Sequence, residues 1–307
     1  MIKNQRRDPG TGDKVQYRSG RTINKDGSFN VKRIGRTYIL VSTFEWLINI
    51  RWSLFFLVLI LGYTFINLVF ALIYLNIGVE HIGGIESLST NNPLLISYFF
   101  SFQTFTTVGY GALHPIGLTT NIIASFEAFL GFMMFAIATG LLYSRFSRPK
   151  AKIIFSKQAL MVEKEDKKML QFRIGNLKSN TLMEAEIEVI MQKKEIGPGG
   201  PVYNFYNLKL ERKYILFFPL NWTVVHEITE KSPLYGFNED TKDDFEFELL
   251  IHFKAFDDTY SEHVHQRYSY ISDEIAFGCK FVPAYYSDRH GHTVFDLNKI
   301  SKYEKIN

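Results

Sequence analysis

The sequence predicts a membrane α unit with two spanning helices, followed by a soluble all-β sandwich. Three observations carry this. From Trp52 to Val79 there are 28 residues without an Asp, Glu, Lys or Arg. A second apolar run, from Asn121 to Ser144, carries only Glu127. Both runs exceed the roughly 20 residues that cross a bilayer as helix at about 1.5 Å per residue. Beyond Pro149 apolar and polar residues alternate at period two, broken by turn clusters, which is the pattern of strands with one buried face.

At 307 residues the chain has room for two such units. Its charges set an expected orientation. No Lys or Arg lies between Trp52 and Ser144, whereas eleven precede that stretch against four acids, and Arg145, Arg148, Lys150 and Lys152 follow it. Basic residues stay on the cytoplasmic side, so both termini are expected in the cytoplasm of a multi-pass plasma (inner) membrane protein. The N-terminus has no apolar h-region, so no cleaved signal peptide is expected. Cys279 is the single cysteine, which excludes an intrachain disulfide. Residues 151–307 carry 24 acids and 21 bases, giving no support for nucleic-acid binding. The chain holds no phosphate-cradling loop, dinucleotide glycine motif or nucleophile–base pair, so an enzyme is not expected.

Residues 1–35 are polar and read as an extended or partly disordered cytoplasmic segment. The mixed stretch "RTYILVSTFEW" opens an interfacial helix, assigned to 36–48, lying at the membrane surface ahead of the first span. The pore domain covers 49–149, with spans over about 52–76 and 120–146. Between them "NNPLLISYFFSFQTF" opens with Asn-Asn-Pro and predicts a helix over about 93–105, too short to cross. It reads as re-entrant. Non-helical backbone at membrane depth is tolerated only against protein or a wet cavity, and one copy can hardly enclose such a cavity, so an oligomer is expected.

The stretch that follows is Thr106, Thr107, Val108, Gly109, Tyr110 and Gly111. A dehydrated alkali cation needs oxygens to replace its water shell, and successive backbone carbonyls supply them when they share one axis. Glycine reaches the required φ/ψ values at least steric cost. Gly109 and Gly111 alternate with Val108 and Tyr110, whose side chains can pack backward and hold the carbonyls, and Thr107 can add a hydroxyl. The expected ligand is K⁺, held by these carbonyls only.

In the second span Phe135, Thr139 and Tyr143 are spaced by four and lie along one helix face, while Gly131 and Gly140 offer places to bend. In 150–307 the segment "MEAEIEVI" puts Met183, Ala185, Ile187 and Val189 on one face and Glu184, Glu186 and Glu188 on the other. "FEFELLIHF" does the same for Phe245, Phe247, Leu249, Ile251 and Phe253, and "GPGG" marks a turn. Such alternation predicts an antiparallel, immunoglobulin-like β-sandwich. His263/His265 and His290/His292 would share strand faces, but no cysteine cluster completes a zinc site, and exposed histidines are expected.

These segments together resemble the inward-rectifier potassium channels, their bacterial branch in particular. The likeness runs from about Asn24 to Ile300 through "KDGSFNV", "IRW", "FSFQTFTTVGYG", "FEAFLGFMMFAIATGLLYSRFSRPKAKIIFS", "GNLKSNTLMEAEI", "VVHEITEKSPLYG" and "SYISDEIAFG". The resemblance implies a voltage-independent, potassium-selective homotetramer. Its pore would be lined and gated by the face of Phe135, Thr139 and Tyr143 and extended by a cytoplasmic vestibule carrying Glu184 and Asp258. Arg51, Trp52, Arg145, Arg148, Lys150 and Lys178 match or adjoin family positions for anionic, phosphoinositide-like headgroups, with such lipid as regulator. Polyamine, Mg²⁺ or Ba²⁺ are the implied blockers. The chain also departs from the family. Gln103 replaces its pore-helix glutamate, Ser53 and Ala151 replace basic residues of animal members, and Phe135 aligns with the acid governing strong rectification. Glu127, two turns outward, reads either as a hydrogen-bonded acid behind the filter or as a pore-lining charge. The alternative from another class is a non-conducting membrane sensor or scaffold with a filter-like loop.

Overall fold

The structure, a computed structural model, describes residues 20–32, 34, 41–147, 151–165, 167–197 and 200–306. The fold separates into two units, Gly35–Arg148 and a second formed by Met1–Ile34 with Pro149–Asn307.

The first unit holds α1 (Val41–Asn49), α2 (Trp52–Ile77), α3 (Pro93–Phe105) and α4 (Leu118–Phe146). Gly78, at φ 109°, ends α2 and donates its N–H to the Tyr74 carbonyl at 3.0 Å. The short helix α3 is capped by the Asn92 side chain, which accepts from Leu94 N at 3.0 Å and Leu95 N at 3.4 Å, with Pro93 at the first position. α4 begins two residues before the expected 120, because Gly117 turns the chain there at φ 81°. Part of the expected interfacial helix, 36–40, lies outside the described residues. Two-residue strands β1 (Ile82–Gly83) and β2 (His114–Pro115) pair antiparallel and tie the loop before α3 to the loop after it. Gly84 sits so close that a Cβ there would lie 1.6 Å from the Ala112 carbonyl oxygen.

A core of Phe70 and Tyr74 from α2, Ile96 and Phe100 from α3, and Ala124 from α4 closes around Ile82 and Leu113. Tyr74 meets Phe100 edge to face at 4.8 Å, a contact worth about 0.5–1.5 kcal/mol. The rest of the apolar surface is left open: Ile60, Phe65 and Phe132 are each about 60% exposed or more. A core helix of a soluble protein buries such residues. Lipid solvates them instead, so close packing and polar contacts hold these helices together.

The second unit is built from strands: β3 (Ile153–Phe155), β4 (Ala159–Lys164), β5 (Lys167–Asn176), β6 (Leu182–Gly197), β7 (Gly200–Asn207), β8 (Tyr214–Phe217) and β9 (Asn221–Ile228). β10 (Phe247–Asp257), β11 (Glu262–Ile271), β12 (Ile275–Phe277), β13 (Cys279–Phe281), β14 (Tyr285–Ser287), β15 (Thr293–Phe295) and β16 (Tyr303–Lys305) follow. One sheet runs β12-β4-β5-β3 with β9 also on β5, and the other runs β11-β10-β6-β7 with β8 on β6. Phe172, Ile174 and Val224 of the first sheet share a core with Ile187, Val189, Leu249, Ile251 and Phe253 of the second. The sandwich is not wholly antiparallel, because β12 pairs β4 in parallel.

Two strand readings shift in detail. Ala185, Ile187 and Val189 face the core as expected, but Met183 does not. Glu184 adopts φ 51° and the β6–β10 register slips between Lys254 and Phe256, a bulge that hands the inward position to Leu182. His290 and His292 lie in the turn between β14 and β15, separated by Gly291 at φ 82°, and so share no strand face.

The described part of the N-terminal segment is folded, against expectation. Residues 20–32 turn at Asp26-Gly27 and bridge Ile23 to Phe29. The buried Glu248 carboxylate of β10 accepts the backbone N–H groups of Thr22 at 2.6 Å and Ile23 at 3.1 Å. Arg21 and Lys25 both reach Glu274, at 2.7 and 2.8 Å. Burial alone pushes the Glu274 carboxyl up, but Lys25, the Ile271 N–H and Arg21 outweigh it and hold it below the usual carboxylate range. Backbone donors that would otherwise need water find a carboxylate instead.

Candidate functional site

The chain leaves α3 with its last turn satisfied: Thr106 N donates to the Phe102 carbonyl at 3.1 Å, and Thr107 N to that of Thr104 at 3.0 Å. Gly109 N then reaches the Gln103 carbonyl at 3.3 Å. Beyond Thr106 the backbone changes hand at every step. Thr107, Gly109 and Gly111 take φ of 58°, 51° and 83°, while Val108 and Tyr110 stay at negative φ. For a β-branched residue such as Thr107 the left-handed region is strained by about 1–3 kcal/mol. Alternation of hand is the backbone pattern that lets successive peptide carbonyls turn to one side. Within the single chain Val108 is 52% and Tyr110 79% exposed.

Behind this loop lies a fully buried acid. Glu127 of α4 accepts from the Tyr74 hydroxyl of α2 at 2.6 Å and from the Ser101 hydroxyl of α3 at 2.5 Å. Ser101 Oγ also lies 3.1 and 3.2 Å from Asn67 O and Oδ1, and Asn67 Nδ2 donates back to the Tyr63 carbonyl at 2.8 Å. One carboxylate therefore joins α2, α3 and α4. Within a single chain this is a hydrogen-bonded acid and not a solvent-facing charge.

On α4, Phe135, Thr139 and Tyr143 are all exposed, the two aromatics at 71% and 73%. The two candidate bending points differ. A Cβ at Gly131 would fall 1.8 Å from the Phe105 carbonyl oxygen, so this glycine admits the end of α3, whereas Gly140 faces open space. Tyr63, Thr106, Thr107, Gly131 and Phe135 border an apolar cavity of about 380 Å³. Gln103, half-buried, has its Oε1 buried without a partner inside the chain.

Of the basic candidates, Arg145 is brought against Trp52, and both of its terminal nitrogens are hydrogen-bonded while its buried Nε has no partner inside the chain. Its guanidinium donates to the Leu47 carbonyl, to that of Ile48 at 3.0 Å and to that of Ile50 at 2.7 Å, capping the end of α1. It also stacks 4.4 Å from the Trp52 ring and 4.5 Å from Phe55. Arg51 is exposed at the start of α2. Arg148 and Lys150 lie outside the described residues. In the other unit Lys178 Nζ sits 5.3 Å from the Tyr260 ring. There Glu184 and Asp258 are both exposed and close the same end of the β6–β10 pair, where Leu182 faces Asp257. Glu186 and Glu188 are ion-paired to Lys213 at 2.8 and 3.0 Å.

Sequence reading missed the Glu248 clamp. Its signal is present in "FELLI", where Leu250 breaks strict alternation and marks a strand covered on both faces. The buried His226, bonded to Lys209 O at 2.7 Å and Ser232 Oγ at 2.8 Å, left no signal at all.

Comparison with known proteins agrees with this architecture. Residues 153–307 match the family described as inward rectifier potassium channel C-terminal domain, and residues 53–148 the family described as ion channel. The chain is 34% identical over 293 residues to the inward rectifier potassium channel Kirbac3.1 of Paramagnetospirillum magnetotacticum, covering 94% of this chain and 97% of that one. It is 25% identical over 303 residues to the ATP-sensitive inward rectifier potassium channel 12 of Gallus gallus, covering 89% of this chain and 69% of that one. Two apolar helices, the short helix between them and the β unit thus fall in the order of one known membrane protein class, and the chain belongs to the inward-rectifier potassium channel family.

Proposed function

We propose that four copies of the chain assemble around a shared axis, and that Thr106–Gly111 of each copy form a potassium-selective filter. The alternating hand of Thr107, Gly109 and Gly111 carries this reading, because it aligns main-chain oxygens as a dehydrated cation requires. Two further observations support the tetramer. Val108, Tyr110, Phe135 and Tyr143 leave large apolar area open in one chain, and Gln103 Oε1 is buried with no partner of its own. Neighbouring subunits supply both needs. Phe135, Thr139 and Tyr143 then line the inner pore as apolar rings that close by dewetting, and Glu184 with Asp258 raises cation concentration in the cytoplasmic vestibule. Both termini face the cytoplasm of the plasma (inner) membrane.

Anionic lipid regulates opening through Arg51, Arg148, Lys150 and Lys178 at the inner leaflet, each charge contributing about 1 kcal/mol near the surface. Arg145 and Trp52 act there by holding α1, since both terminal nitrogens of Arg145 already donate to carbonyls at the end of that helix.

Flux in liposomes tests the reading. Potassium flux well above sodium flux, and blocked by Ba²⁺, is the expected result. Equal fluxes overturn selectivity, and no flux of either ion favours the non-conducting sensor. Neutralising Arg148 and Lys150 together is expected to change the response to added phosphoinositide, and an identical dose–response removes the lipid claim.

A further inference from the structure

His252 on β10 and His265 on β11 come from neighbouring strands and form a diagonal pair, two residues out of register: His252 faces Arg267 and His265 faces Lys254. Both side chains are on the exposed face of the sheet. His252 Nε2 lies 3.1 Å from His265 Nδ1, with ring planes 9° apart. In the neutral pair one imidazole donates its N–H to the other, so a single proton bridges the two nitrogens.

The same spacing suits a metal ion once each ring turns by roughly 40° in its exposed position, so that both lone pairs meet at the ion. Two imidazole nitrogens about 2.0–2.1 Å from one ion stand roughly 2.9–3.4 Å apart for angles between square and tetrahedral. We propose that His252 and His265 form a cross-strand clamp for one borderline divalent cation, Zn²⁺, Ni²⁺ or Cu²⁺, in each chain. Imidazole is the ligand type these ions share. No set of three or more His, Cys, Asp or Glu side chains gathers as a metal site among the described residues. The clamp is therefore an open site whose remaining positions are taken by water.

Proton balance is simple. The bridging proton moves to the other nitrogen of the imidazole that carried it, and both facing nitrogens then donate lone pairs to the ion with no net proton release. Burial holds His252 below the usual imidazole range, as does the neighbouring His265. Burial does the same for His265, helped by Lys254, His263 and Arg267. Across from them on β6, Glu188 faces His252 and Glu186 faces Lys254, both ion-paired to Lys213.

The test uses full-length, tag-free protein in detergent, titrated calorimetrically with Zn²⁺ and examined by Cu²⁺ electron paramagnetic resonance. One ion per chain is expected, with nitrogen superhyperfine structure from two imidazoles. His252→Gln and His265→Gln should each weaken binding at least about tenfold. A His290→Gln/His292→Gln variant, which removes the other exposed histidine pair, should leave it unchanged. Affinity should be lower in acid, because a protonated imidazole cannot ligate. No stoichiometric binding, copper spectra without nitrogen coupling, or affinity lost only with His290 and His292 would overturn the proposal. The spectrum of the unmutated protein decides even where a variant folds poorly.

Discussion

Replacing Glu127 by Ala removes the acceptor shared by two hydroxyls, and the structure sets how much each loses. Ser101 can turn its proton to Asn67 O or Oδ1, at 3.1 and 3.2 Å, so it is rescued. Tyr74 is fully buried and has Glu127 as its acceptor, so its O–H is stranded at about 1–3 kcal/mol. The lost side-chain volume adds about 1 kcal/mol for a cavity of methyl size or more. The sum is about 2–4 kcal/mol for Glu127→Ala. Glu127→Gln keeps the volume and an acceptor for Tyr74, and its amide N–H can donate to Ser101 Oγ, so the loss is at most about 1 kcal/mol. Tyr74→Phe alone strands a carboxylate oxygen. Combined with Glu127→Ala it leaves no stranded group, so the double variant should cost about 1–2 kcal/mol less than the two singles together. The midpoint of SDS-induced unfolding in mixed micelles measures all four. Glu127→Ala with wild-type stability, or a coupling below about 0.5 kcal/mol, refutes the reasoning.

Four further outcomes follow from the geometry. Gly131→Ala is expected to abolish assembled protein, because its Cβ would fall 1.8 Å from the Phe105 carbonyl oxygen, whereas Gly140→Ala, facing open space, should assemble normally; size-exclusion profiles compare them. Glu248→Ala should free Thr22 and Ile23 and speed proteolysis near Lys25 at least about tenfold, as two charge-assisted bonds of about 1.5–3 kcal/mol each are lost; an unchanged cleavage rate counts against the clamp. Burial holds His226 below the usual imidazole range. The unfolded chain therefore gains a proton first as pH falls below about 6.5, and stability is lost from there down to the lower folded value. Denaturant titrations at pH 7.5 and 5.5 should show a smaller acid loss in His226→Gln than in wild type. Tyr143→Ala should raise open probability in single-channel recordings if the exposed ring closes the pore, and no change would remove it from the gate.

Much of the architecture was legible because its signals are local. Hydrophobic runs, an Asn-Pro helix start and strand alternation placed α2, α3 and the inward faces of β6 and β10 within a residue or two. What escaped depends on groups distant in sequence. Glu248 lies 225 residues from Ile23 and His252 lies 13 from His265, so no periodicity joins them. Met183 was misread because a bulge shifts the alternation by one residue, and only the partner strand reveals the slip. Arg145 looked like a free cation because its acceptors are backbone carbonyls, which every residue carries.

The docking of residues 20–29 on β10 and β11 has a mechanical consequence. In sequence, that anchored segment precedes α1, and β3 follows α4. The β unit is thus tethered to the membrane unit by two separate lengths of polypeptide. A body hung on one tether swivels freely, whereas one held by two can turn only until the second draws tight. Cutting the chain between residues 34 and 41 should leave one connection between the units while each stays folded.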